Sequence, residues 1–86
     1  MPLTVSPDVV FRELDGEAVL LDLGTGTYFG LNPVGTRIWQ LIGAGREQIE
    51  IVNDLAAEYD AAPSTIAADV TRLIGELKAR RLIKDP

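Results

Sequence analysis

Residues 8–33 read DVVFRELDGEAVLLDLGTGTYFGLNP, and the alternation of apolar runs with turn residues in this stretch decides the fold. Asp15-Gly16 separates two runs rich in Val, Leu and Phe, residues 8–14 and 17–23. Asp-Gly is the dipeptide that best accommodates the positive φ angles of a two-residue hairpin turn, so the runs are expected to pair as antiparallel strands. Gly24-Thr25-Gly26 supplies a second reversal and leads into a third short strand, Thr27 to Leu31, giving a three-stranded meander. In the middle strand Val19, Leu21 and Leu23 share one face and Leu20 and Asp22 the other, and the charge on Asp22 marks the second face as the outward one. Asn32-Pro33 ends the sheet, because Asn is a favoured helix cap and Pro is favoured at the first helical position, where no intrahelical N–H is lost.

Downstream the periodicity changes from two to 3.6. A first helix is expected from Pro33 to about Ile42, with Val34, Ile38, Leu41 and Ile42 at helical spacing, Trp39 beside them as a core anchor, and Gly43-Ala44-Gly45 closing it. Gly35 inside this helix costs ~1 kcal/mol against Ala and marks a close approach to another backbone. A second helix, from about Glu47 to Tyr59, carries Ile51, Val52, Leu55, Ala56 and Tyr59 as its buried stripe. Pro63 opens a third, whose seam is Ile66, Val70, Leu73 and Leu77, broadened by Ala67 and Ile74. Asp69, Arg72, Glu76 and Arg80 form a row along one flank, with opposite charges three or four residues apart. Leu82 and Ile83 follow as a short apolar tail.

Composition limits what such a chain can do. Its 86 residues have room for one domain, over residues 1–86, with one modest core. Cysteine and histidine are both absent, which removes the commonest general base, the commonest nucleophile and the usual zinc ligands, and neither a metal nor a cofactor is expected. Catalysis by carboxylates alone stays formally open, but no HExxH, EF-hand or phosphate-cradling pattern occurs. Tyr28 and Phe29 are read as strand packing in preference to a base-stacking platform. Thirteen acids against eight bases give a net charge of −5, which works against a phosphate backbone. A signal sequence and a run long enough to span a membrane are both missing, so a cytoplasmic location without membrane contact is expected.

The stretch DLGTGTYFGLNPVGTRIWQLI, from Asp22 to Ile42, resembles the signature of the PqqD-like family: an aspartate-bearing strand, a Gly-Thr-Tyr strand, Leu-Asn, a helical Gly and an Ile-Trp pair, in this order. The likeness continues through Ala56-Ala57-Glu58-Tyr59-Asp60, Asp69-Val70, Leu73-Ile74 and Leu77, and so covers about Asp8 to Ile83. It departs at Arg81, where the family pattern commonly has Gly, a residue more at ease in a left-handed helix end.

The resemblance implies an α+β, winged-helix-like domain, a three-stranded antiparallel sheet followed by three helices. It also implies a non-catalytic role: holding the leader segment of a ribosomally synthesised precursor peptide for a modifying enzyme or leader peptidase. The chain is similar to the stand-alone kind, including that of lasso-peptide pathways. In that mode an extended peptide adds to an edge strand. The third strand, Thr27, Tyr28, Phe29, Gly30 and Leu31, is the candidate edge. Asp69, Val70, Arg72, Leu73, Glu76, Leu77 and Arg80 on the third helix are the candidate wall, on the expectation that the charged flank faces the cleft. The alternative is a winged-helix DNA-binding regulator, which shares the architecture but wants a recognition helix in a positive field. Nucleic acid is not an expected partner.

Overall fold

The structure, a computed structural model, describes residues 2–85. The elements in chain order are β1 (Thr4–Val5), β2 (Val9–Leu14), β3 (Glu17–Asp22), β4 (Thr27–Gly30), α1 (Pro33–Gly43), α2 (Gln48–Tyr59), α3 (Pro63–Ala79) and β5 (Ile83–Lys84). The expected meander is present, in the order β2-β3-β4 with both pairs antiparallel. Asp15 and Gly16 turn the first hairpin with φ of 53° and 80°, the left-handed pair that a two-residue loop requires. In the second reversal the Asp22 carboxylate accepts the Gly24 N–H at 2.9 Å and Gly26 takes φ 73°.

That local role for Asp22 corrects the expected facing of β3. Ala18 and Leu20 are buried against the helices, whereas Val19 and Leu23 are exposed. Asp22 shares the inner face at the strand's last position, paired with Val9 and Thr27, where its carboxylate turns to the following loop, so its charge does not report the face of the residues before it.

The apolar tail is also more than a tail. Ile83 and Lys84 pair antiparallel with Val5 and Thr4, and this second, two-stranded sheet ties the start of the chain to the end of α3. Leu82 and Ile83 are buried there.

Asn32 caps α1 as expected, accepting the Gly35 N–H at 2.7 Å, with Pro33 following it. Helix α1 lays Ile38, Trp39, Leu41 and Ile42 into a core shared with Ile51 and Leu55 of α2 and with Val70, Ile74 and Leu77 of α3. Tyr59, expected in the α2 stripe, is exposed at the helix end instead.

The buried seam of α3 is Ile66, Val70, Ile74 and Leu77. Leu73 is only partly buried, because the core is centred on the Ile74 side and Leu73 falls on its margin. The helix ends in a Schellman motif, in which Leu82 donates its N–H to the Leu77 carbonyl at 2.9 Å and Arg81 to that of Lys78 at 3.0 Å. Arg81 occupies the left-handed position, φ 59°.

Candidate peptide-binding groove

Strand β4 is one of the two edges of the three-stranded sheet, β2 being the other, and it is the edge on the side of α3. Leu31 donates its N–H to the Ala18 carbonyl at 2.8 Å, extending by one pair the register in which Gly30 faces Val19, Phe29 faces Leu20, Tyr28 faces Leu21 and Thr27 faces Asp22. In an antiparallel ladder bonded and non-bonded pairs alternate. Phe29 and Thr27, in step with Leu31, therefore turn their backbone groups towards β3. Tyr28 and Gly30 turn theirs to the open side, where no strand pairs with them.

The register is held from beneath by a buried hydroxyl. Thr36 Oγ1 accepts the Ala18 N–H at 2.8 Å and donates to the Leu31 carbonyl at 3.5 Å, standing between two backbone groups that would otherwise bond each other. Thr36 is 2% exposed, the one buried polar side chain among the described residues. Through it the first turn of α1 fixes where β4 ends.

Between the open edge and α3 runs a groove of about 450 Å³, to which β4 gives Phe29 and Gly30 and α3 gives Asp69, Arg72, Leu73 and Glu76. Leu31, Asn32, Val34, Gly35 and Ile38 complete it at the start of α1. A Cβ added at Gly35 would lie 3.2 Å from the Asn32 cap oxygen, 3.3 Å from Leu31 Cδ2 and 3.4 Å from Leu73 Cδ2. The close approach expected at this glycine is thus to side chains of the groove, not to another backbone. Beyond Phe29 a smaller pocket of about 170 Å³ continues between Asp22, Thr25, Thr27, Arg80 and Leu82. The Arg80 guanidinium lies over the Phe29 ring, 4.8 Å from its centroid, and separates the two spaces.

Most residues expected at the site do meet here. Thr27, Phe29, Gly30 and Leu31 come from the strand side and Asp69, Arg72, Leu73, Glu76 and Arg80 from the helix side, so the charged flank of α3 is the one turned to the groove. Val70 and Leu77 do not: both are 0% exposed in the core, on the inner side of the seam, and no peptide reaches them without repacking it. Tyr28 offers its backbone to the edge, but its side chain points to the outer sheet face and is exposed. The contributions of Asn32, Val34, Gly35 and Ile38 were not anticipated. The Asn32-Pro33 cap was their signal, since a helix starting directly after an edge strand must place its first turn at the strand's end.

The outer face of the sheet carries exposed apolar side chains as well, interrupted by Arg12 and Glu17. Val10, Leu21 and Tyr28 are in register across the three strands, with Val19 and Leu14 beside them, and all but Leu21 are exposed. Among the described residues no group of three or more metal-binding side chains occurs, and no helix is long and apolar enough to cross a membrane.

These elements define a small winged-helix-like domain whose open strand edge faces a helix across a groove. The chain belongs to the PqqD family: the profile of "Coenzyme PQQ synthesis protein D (PqqD)" matches residues 17–83. Among solved structures it is similar to TbiB1 in complex with the TbiA(beta) leader peptide, with 40% identity over 96% of each chain and a TM-score of 0.90. It also shares the fold of a lasso peptide synthetase B1 complexed with the leader peptide, at 24% identity and a TM-score of 0.89, over 99% of this chain and 100% of that one. No curated protein sequence matches it. Nothing in these likenesses supports the DNA-reading alternative.

Proposed function

We propose that this chain, as one domain over residues 1–86, binds the leader segment of a ribosomally synthesised precursor peptide and delivers it to a modifying enzyme or leader peptidase, as in lasso-peptide biosynthesis. The observation that carries this reading is the unpaired edge at Tyr28 and Gly30 facing α3 across the groove. An extended peptide added there gains backbone hydrogen bonds that tolerate sequence variation, while side chains entering the groove supply selectivity. The 40% identity to TbiB1, which was solved with a leader peptide, supports it.

The domain's contribution is delivery by raised local concentration, not chemistry. The chain has no His and no Cys to serve as general base or thiol nucleophile.

The test uses the TbiA(beta) leader peptide as probe. Calorimetry should give a dissociation constant near the micromolar range, about −8 kcal/mol. Gly30→Pro removes an N–H that faces away from β3, so the fold should survive while affinity drops by more than about tenfold, ~1.4 kcal/mol. Unchanged affinity in a folded Gly30→Pro protein would put the peptide elsewhere.

A further inference from the structure

The register of β4 and the position of Arg80 together specify what kind of peptide fits, given the leader-binding reading above. A strand added to the open edge bonds at Tyr28 and Gly30. Residues directly opposite each other on neighbouring strands share a face. The peptide side chains that enter the groove are therefore those opposite Leu31, Phe29 and Thr27, each two residues from the next. Those opposite Tyr28 and Gly30 emerge on the outer face.

The three inward positions meet unequal surroundings. Opposite Leu31 the larger space is walled by Leu31, Val34, Ile38 and Leu73 and rimmed by Asp69, Arg72 and Glu76. Opposite Phe29 the Arg80 guanidinium already covers the ring, which leaves room for a small side chain. Opposite Thr27 the smaller pocket is rimmed by Arg80.

Arg80 differs from Arg72 in its pairing. Arg72, the other cation lining the groove, is engaged by Asp69 at 3.6 Å, whereas among the described residues no carboxylate forms an ion pair with Arg80. The acid of its pocket, Asp22, gives one carboxylate oxygen to the Gly24 N–H and forms no ion pair with Arg80. A cation held over an aromatic ring and not engaged in an ion pair is prepared to form one.

We propose that the groove reads its peptide at two side chains four residues apart, an apolar one in the space over Leu31 and Leu73 and an acidic one beside Arg80.

A display library of random short peptides, selected on the intact chain and on its Arg80→Glu and Arg80→Lys variants, tests this whatever the sequence of the natural leader. The parent should enrich peptides with an acidic residue four positions from an apolar one. Arg80→Glu should enrich Lys or Arg at that position, and Arg80→Lys should keep the acid although the stacking on Phe29 is lost. For one enriched peptide, exchanging the acid for Lys should weaken binding about tenfold at low salt and less at high salt. Enriched peptides without an acidic position, or without a switch in Arg80→Glu, would overturn the inference and leave leader binding intact. No enrichment, or binding that leaves the Tyr28 and Gly30 amide resonances unmoved, would overturn the leader reading and this inference with it.

Discussion

At Thr36 the hydroxyl replaces a strand-to-strand bond, and its loss would leave the buried Ala18 N–H without an acceptor. Thr36→Val keeps the shape, so the expected cost is that of one orphaned buried donor, ~1–3 kcal/mol in urea denaturation. A smaller effect would mean that the strand end closes directly onto Leu31. Arg81 is the opposite case. It holds φ 59° in a position that glycine adopts without strain, so Arg81→Gly should raise stability by roughly 0.5–1 kcal/mol in the same assay, although the substitution also loosens the unfolded chain. The awkwardness of Arg at this helix end was legible in the sequence, because it depends on one residue's backbone preference. The bridging role of Thr36 was not, since it joins three elements and no local pattern announces it.

Among the elements, those defined by local chemistry were the readable ones. Asp15-Gly16, Asn32-Pro33 and Pro63 each fixed a boundary to within about a residue. The facing of β3 was misread because Asp22 serves the turn, and the β1–β5 pair escaped because two-residue strands joined across the whole chain have no periodicity to detect. The α3 seam was readable to within one row, and that row separates groove from core: Leu73 lies in the groove while Val70 and Leu77 lie in the core. Gly35→Ala probes the same junction of α1 with α3. The new Cβ gains up to ~1 kcal/mol of helix propensity but crowds the Asn32 cap oxygen at 3.2 Å and Leu31 Cδ2 at 3.3 Å, which must give by a few tenths of an ångström, and touches Leu73 Cδ2 at 3.4 Å. Stability should therefore change by less than about 1 kcal/mol, while affinity for the TbiA(beta) leader peptide falls. Melting and titration of the same variant separate the two effects, and undiminished affinity would show that the groove floor yields freely.

Over the whole molecule charge is unevenly placed. Four of the eight basic residues, Lys78, Arg80, Arg81 and Lys84, fall in the last nine positions, and most of the acids lie elsewhere. Away from the groove two arginines hold the helices together. Arg37 of α1 forms a two-bond pair with Glu58 of α2 at 2.8 and 2.9 Å. Arg46, in the loop between them, does the same with Asp54 at 2.9 and 3.1 Å and adds Glu50 at 3.0 Å. The hydrogen bonds from these guanidinium groups hold the Asp54 and Glu58 carboxyls below their ordinary values of 3.8 and 4.5, and the same bonds raise both arginines above their ordinary value. A carboxyl with a depressed folded-state pKa contributes stability that is present above its ordinary pKa and is lost as pH falls through the folded value. Relief of the net negative charge acts in the other direction over the same range, so the parent's melting curve alone does not isolate the pairs. The comparison that does is with an Arg37→Gln, Arg46→Gln double variant. Its melting temperature should lie below the parent's at pH 7, and the gap should hold down to about pH 4.5 and then close as the carboxyls protonate. High salt should narrow the gap at pH 7 as well, because the pairs are partly exposed. A gap that persists unchanged at pH 2 would mean that the arginines stabilise the helix pair through their aliphatic stems instead of their charge.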